Sequence, residues 1–287
     1  MSLYVLTGIT GNVGRQAAAL LIEKGHRIRA VVRNEENARY WHARGAEAVI
    51  ARLDDADALT AAFSEVDGAY VMTPTWFDAE DMFAENERAV AALGSALRRG
   101  KPPKIVLLSS IGAQHARGTG AIRKLNHMEQ AFADIPGVTA LRAAWFMENF
   151  AGAIGQVAST GLLPSMLAPL EQLVPMVATR DIGLTVAELL TRPGDHRRFV
   201  ELEGPRRYAP MDVAAAFATV LGRDVDATIL PASAWAAAFR SWGLTPKSVE
   251  AMSEMISGFN SRHIAFEGVA AHGETTLEAV LSALTAH

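Results

Sequence analysis

The sequence contains no cysteine. That excludes disulfides, thiolate metal sites, Cys-ligated iron–sulfur clusters and a cysteine nucleophile. The absence fits a reducing compartment without requiring one. No apolar run approaches the roughly 20 residues of a membrane-spanning helix. No basic and apolar leader precedes the strand-like residues 3–7. Positive charge is not in excess: 27 Lys and Arg face 31 Asp and Glu, a formal charge of −4. A nucleic-acid-binding domain would show a basic stripe instead. These absences lead us to expect a cytoplasmic protein whose partners are neither membranes nor nucleic acids.

What remains has globular composition, with half of the 287 residues hydrophobic and a fifth charged. The length allows one large domain or two ordinary ones. Short apolar runs at residues 3–7, 26–32, 47–53, 69–73, 105–110 and 138–142 read as strands. Helical spacing fills the gaps at 13–24, 56–63, 79–99 and 121–134. Strand and helix in alternation, joined by short turns, predict an α/β fold. We expect a Rossmann-type, doubly wound parallel sheet over residues 1–150. Beyond Trp145 prolines interrupt the chain and helices dominate, at 181–190, 210–221, 232–242 and 246–258, with strands only at 198–203 and 226–230. Residues 151–287 are therefore expected to form a smaller, mostly helical part that shapes a substrate cleft, with chain crossings between the two.

The residues Gly8-Ile9-Thr10-Gly11-Asn12-Val13-Gly14 lie between the first strand and the first helix. One glycine permits the tight turn, a second lets backbone N–H groups approach a pyrophosphate, and a third lets helix and strand pack closely. The helix then presents unpaired N–H groups and the positive end of its dipole to the phosphates. A dinucleotide is the expected ligand of Gly8, Thr10, Gly11, Asn12, Val13 and Gly14.

The spacing Gly-x-x-Gly-x-x-Gly resembles the opening of extended and atypical short-chain dehydrogenase/reductases. Within these, the chain is most similar to the NmrA-like group, which includes quinone and triphenylmethane-dye reductases as well as redox-sensing regulators. Supporting pieces are Val32-Arg33-Asn34, the run Leu141-Arg142-Ala143-Ala144-Trp145-Phe146-Met147-Glu148-Asn149, and Thr179-Arg180-Asp181-Ile182-Gly183. The resemblance implies NADP(H) or NAD(H) as cofactor. An acidic residue at the end of the second strand would repel a 2′-phosphate. None stands between Gly25 and Arg33, and Arg33 offers a guanidinium suited to phosphate, with Arg15 a second cation. NADP(H) is expected, although Glu35 and Glu36 follow closely. The resemblance also makes Asp54 an adenine contact, the other reading being a helix cap. Thr73, Pro74 and Ser109 end strands that border the cofactor side of the crevice, and Ser110 the substrate side.

The Tyr-x-x-x-Lys pair of short-chain dehydrogenases is missing. None of the four tyrosines, Tyr4, Tyr40, Tyr70 and Tyr208, has lysine four residues on. Aligned on Glu129, Ala121 and Leu125 occupy the positions of the pair. Lys124 is one residue away, about a 100° rotation around a helix. Two classes remain. A reductase could pass hydride from NADPH to a quinone-like or other electron-poor conjugated small molecule, with Trp145 and Phe146 forming an apolar slot. Alternatively a non-catalytic redox sensor would bind NADP and act through a protein partner. Homo-oligomerisation is compatible with either. The catalytic residue is unknown. His115 and His127 stand near the expected substrate mouth, but helical histidines more often serve at surfaces. No histidine spacing predicts a metal. The basic residues 192–198 read as a solvated turn.

Overall fold

The computed structural model describes residues 1–194 and 197–286. Strands β1 (Leu3–Leu6), β2 (Arg27–Val32), β3 (Glu47–Ile50), β4 (Gly68–Val71), β5 (Ile105–Ser110) and β6 (Val138–Ala143) alternate with five helices. These are α1 (Asn12–Glu23), α2 (Glu35–His42), α3 (Ala56–Phe63), α4 (Met82–Gly100) and α5 (Arg123–Ala131). The later chain supplies β7 (Trp145–Phe146), α6 (Ile154–Thr160), β8 (Leu162–Ser165), β9 (Met176–Val177), α7 (Thr179–Thr191) and β10 (Phe199–Glu203). It ends with α8 (Pro210–Leu221), β11 (Asp226–Ile229), α9 (Ala232–Ser241), α10 (Pro246–Asn260), β12 (Ala271–His272) and α11 (Leu277–Thr285).

The main sheet is parallel throughout, in the order β12-β10-β6-β5-β4-β1-β2-β3. This is the doubly wound Rossmann-type α/β fold. From β1 the chain winds outward to β3, then restarts on the other side at β4. That reversal opens a crevice above the carboxyl ends of β1 and β4. Strand residues alternate between two cores: Tyr4, Leu6, Tyr70 and Val106 face α1, α2 and α7, whereas Val5, Val71 and Leu107 face α3, α4 and α5. Burial on both faces explains why these strands read as nearly continuous apolar runs.

Residues after 150 cross back into this framework. β10 pairs with β6, and α7 lies directly on α1. Gly183 makes that contact so close that a Cβ there would stand 2.5 Å from Gln16 Cβ and 2.9 Å from the Ala17 nitrogen. A third core gathers Met147, Leu163, Val174, Tyr208, Phe217, Phe259 and Leu281 beneath the C-terminal helices.

Several boundaries depart from the periodicity for identifiable reasons. The fourth helix starts at Met82, not at 79, because Asp81 caps it by accepting from the Phe83 and Ala84 amides. The fifth is shorter and is preceded by a 3₁₀ turn over Gly120–Ile122. β3 stops at Ile50 and β4 at Val71, before Thr73-Pro74, where proline has no N–H to give a ladder. α2 carries only Ala38 and Trp41 as buried residues, too few for a periodic signal. β11 forms, but pairs with β8 outside the main sheet. Within the basic turn 192–198, Asp195 and His196 lie outside the described residues, as does His287. Among the described residues, no helix is long and apolar enough to cross a membrane.

The α1–α7 contact depends on the missing side chain at 183. Gly183→Val should lower stability by about 2 kcal/mol through overpacking, read as a lower midpoint in urea denaturation. An unchanged midpoint would mean that the two helices do not meet this closely.

Candidate cofactor and acceptor site

The glycine turn is built as a cradle. Gly8 has φ of 59°, in the left-handed region that side chains avoid. A Cβ on Gly14 would fall 2.3 Å from the Gly8 carbonyl oxygen, so backbone packs on backbone where α1 begins. Gly11 precedes the helix and provides no side-chain cap. The first-turn N–H groups of α1 are thus left for an anion. Thr10, Gly11 and Asn12 are exposed at the tip while Val13 and Gly14 are buried behind them. Arg15 donates to the Thr10 carbonyl at 3.2 Å and keeps the turn in shape.

Arg33 is exposed past the end of β2 and has no hydrogen bond or ion pair among the described residues. Next to it, Asn34 caps α2 by accepting from the Asn37 amide at 2.9 Å. Glu35 and Glu36 fall in the first turn of that helix, where its dipole favours negative charge. Their place in the sequence close to Arg33 therefore has a local structural reason. Asp54 lies beyond β3 and is not the cap of α3. That is Asp55, which accepts from the Ala58 amide. Asp54 forms a bidentate pair with Arg52, both contacts 2.9 Å, and the hydrogen bonds hold its carboxyl below the usual range.

At the end of β4, Thr73 is buried and its hydroxyl donates to Asn86 Oδ1 at 2.8 Å. Asn86 in turn donates to the Lys124 carbonyl at 3.1 Å. The Lys124 ammonium donates to the carbonyls of Pro74 at 2.9 Å and Thr73 at 3.3 Å. Lys124 is buried, and burial lowers its pKa to about 7. Helical angle alone excludes Lys124 from the crevice, yet its long, flexible stem reaches the end of β4. The position of the missing tyrosine, Ala121, is packed against Met82 and Ala251 of α10.

Ser109 is buried, and its hydroxyl donates to Glu129 Oε1 at 2.5 Å. Its side chain thus faces the helix layer, and any role toward a cofactor would fall to its backbone. Glu129 is held by Arg142 at 2.8 and 3.0 Å. Breaking such a buried pair by removing one partner costs about 3–5 kcal/mol. Ser110 is half-buried and donates to the Ile111 carbonyl. Trp145 and Phe146 form β7 beside β9 and are half-buried. Trp145 meets Phe259 edge-on with ring centroids 5.2 Å apart, and its indole Nε1 is buried with no partner among the described residues. Of the two histidines, His127 is exposed on α5, and His115 stacks on His263 with centroids 4.3 Å apart.

The sequence reading also missed three supports. Thr7 bridges β1 and β4 by accepting from the Met72 amide at 3.0 Å. Glu148 caps α7, taking both the amide and the hydroxyl of Thr179. Buried Asp181 accepts from the amide and hydroxyl of Thr275 at 2.9 and 2.7 Å. For the network of Thr73, Asn86 and Lys124, the available signal was a polar residue, Asn86, on an otherwise apolar helix face. Among the described residues, no three His, Asp or Glu side chains converge as a metal-ligand set.

A parallel sheet with its glycine turn feeding α1 at the topological switch point defines a Rossmann-type nucleotide-binding framework. The NmrA-like family model matches residues 2–281, and the chain belongs to that family. It is 26% identical to the NAD(P)H azoreductase of Xenophilus azovorans over 88% of this chain and 86% of that one. The fold matches the NADPH-dependent quinone oxidoreductase of Escherichia coli, solved with NADPH, at a TM-score of 0.80 and 20% identity over 98% and 99% of the two chains. It also matches the triphenylmethane reductase of Citrobacter sp., solved with NADP(H), at 0.81 and 18% over 99% and 100%.

Lys124 makes stability depend on pH. Its pKa is near 10.5 in the unfolded chain and about 7 in the fold. Between these values the unfolded state holds a proton that the folded state has released, so stability rises with pH. At about 1.4 kcal/mol per pH unit, wild type should gain on the order of 4 kcal/mol over Lys124→Met from pH 7 to 10. Denaturant titrations at each pH would show this, and a constant gap would mean that Lys124 titrates normally.

Proposed function

We propose that the protein is an NADPH-dependent reductase of electron-poor conjugated small molecules. The observation that carries this reading is the uncapped start of α1 at the glycine cradle, together with the free Arg33 where an NAD-selecting carboxylate would stand. The reductase names of the azoreductase relative and of the two solved neighbours support it.

In this assignment Gly8, Thr10, Gly11, Asn12, Val13 and Gly14 surround the pyrophosphate, Arg33 receives the 2′-phosphate and Asp54 borders the adenine. Thr73 and Pro74 present backbone to the ribose beside the nicotinamide. Lys124 braces both of their carbonyls, which fixes the floor of the crevice. Ser110, Trp145 and Phe146 border the acceptor. Bound NADPH would supply a hydride, two electrons with one hydrogen, so a quinone that also takes one proton from water leaves as hydroquinone beside NADP⁺. Such an acceptor needs no tyrosine acid, which fits Ala121 in the tyrosine position. The protein's contribution is to hold the two reactants together and exclude water.

Fluorescence titration of the purified protein should show NADPH bound at least tenfold more tightly than NADH, and Arg33→Ala should remove the preference. Adding menadione to the NADPH complex should oxidise it. Binding without oxidation by any of several acceptors would instead favour a redox sensor. If neither nucleotide binds, the cofactor assignment is wrong.

A further inference from the structure

We propose that Lys124 is a charge selector for the acceptor, favouring neutral and anionic conjugated molecules, such as quinones and sulfonated aromatics, over cationic dyes. The proposal rests on the assignment of the crevice made above.

Among the described residues, the buried ionisable side chains include Glu129, Arg142, Asp181, Glu203 and Lys124. Glu129 and Arg142 neutralise each other, Glu203 is paired with Arg207, and Asp181 is bonded to the Thr275 amide and hydroxyl. Lys124 is the cation in this group without an anionic partner, its ammonium bonded to two neutral carbonyls. The charged groups on the elements around it are engaged elsewhere or face solvent. On α4, Glu85 pairs with Arg88, and Glu87 is exposed. On the loop before α4, Asp81 pairs with Lys247, and Asp78 and Glu80 are exposed. On α5, Arg123 lies over the Phe83 ring and His127 is exposed. On α10, Glu250 and Glu254 are exposed, the latter accepting from the Gly118 amide. Burial alone accounts for the lowered pKa of Lys124, with no charged neighbour contributing.

When protonated, Lys124 puts an uncompensated charge against the Thr73 and Pro74 carbonyls at the end of β4. In the crevice assigned above, low-dielectric walls carry its field to a bound molecule without direct contact. Hydride addition turns a neutral quinone into an anion before it takes up its proton, and the field favours that change. A triphenylmethane cation must enter against the field and loses its charge on reduction, so the field opposes both its binding and its chemistry. The two solved neighbours, one a quinone reductase and the other a dye reductase, represent these two acceptor classes. The charge on Lys124 aligns this chain with the first.

Equilibrium dialysis of the full chain saturated with NADP⁺ tests selection without turnover. The probes are anthraquinone-2-sulfonate and crystal violet, compared at pH 6 and pH 8.5. At pH 6 Lys124 is charged, and the affinity ratio of anion to cation should be at least tenfold higher than at pH 8.5. Lys124→Arg, charged at both values, should hold the pH 6 ratio throughout. Lys124→Met should give a low ratio at both. A wild-type ratio that does not change with pH, or a Met variant that keeps the wild-type change, would overturn the proposal. NADPH oxidation with menadione is scored separately. Selective binding with no oxidation would leave the charge selector standing and remove the reductase reading, whereas oxidation without selection would do the reverse.

Discussion

The crevice depends on one steric constraint, the backbone-to-backbone contact between Gly8 and the start of α1 at Gly14. With no side chain between them, the helix begins directly above the end of β1 and aims its free N–H groups across the switch point. The same helix is gripped from behind at Gly183 of α7, so its position is fixed from both sides. Thr7 then ties β1 to β4 through the Met72 amide, which sets where the chain leaves the sheet toward Thr73 and Pro74. Each later feature of the site, including the reach of Lys124, is measured from that frame.

Much of this was legible in the sequence because it follows from local rules. Apolar runs of strand length identified the six strands of the first half, those at the centre of the sheet being buried on both faces, and the glycine spacing located the cradle. Arg33 was visible as the charge at a strand end. What stayed hidden was long-range or short. The two-residue strands β7, β9 and β12 carry no period of their own and exist because a neighbour pairs with them. Lys124 was set aside because an angle around a helix describes where a Cβ points and not how far a lysine extends. Ser109 sits at the crevice end of β5 by position, but its hydroxyl turns into the layer beneath to meet Glu129.

The sequence pieces that carry the family resemblance outside the glycine turn have structural work in common. Glu148 closes the N-terminus of α7, Asp181 anchors the segment around Thr275, and Gly183 admits α1. Glu148 and Gly183 attach α7 to the first half of the chain, and Asp181 ties the segment around Thr275 to that same helix. This explains how a chain without a tyrosine–lysine pair can retain so much of the pattern: these residues keep the crevice assembled, whatever chemistry occurs in it.

Arg142 extends that joining to the end of the chain. Its guanidinium meets Glu129 on one side and Glu267 on another, while Glu201 takes the Glu267 and Gly268 amides at 3.0 and 2.8 Å. A ribosome delivers Glu129 before Arg142, but Glu201 and Glu267 only afterwards. During synthesis the strand that carries Arg142 is therefore complete long before its buried charge is fully satisfied. Glu129 can neutralise Arg142 as soon as β6 has formed, whereas the contacts through Glu201 and Glu267 add the far strands to the same guanidinium only once those residues have been made.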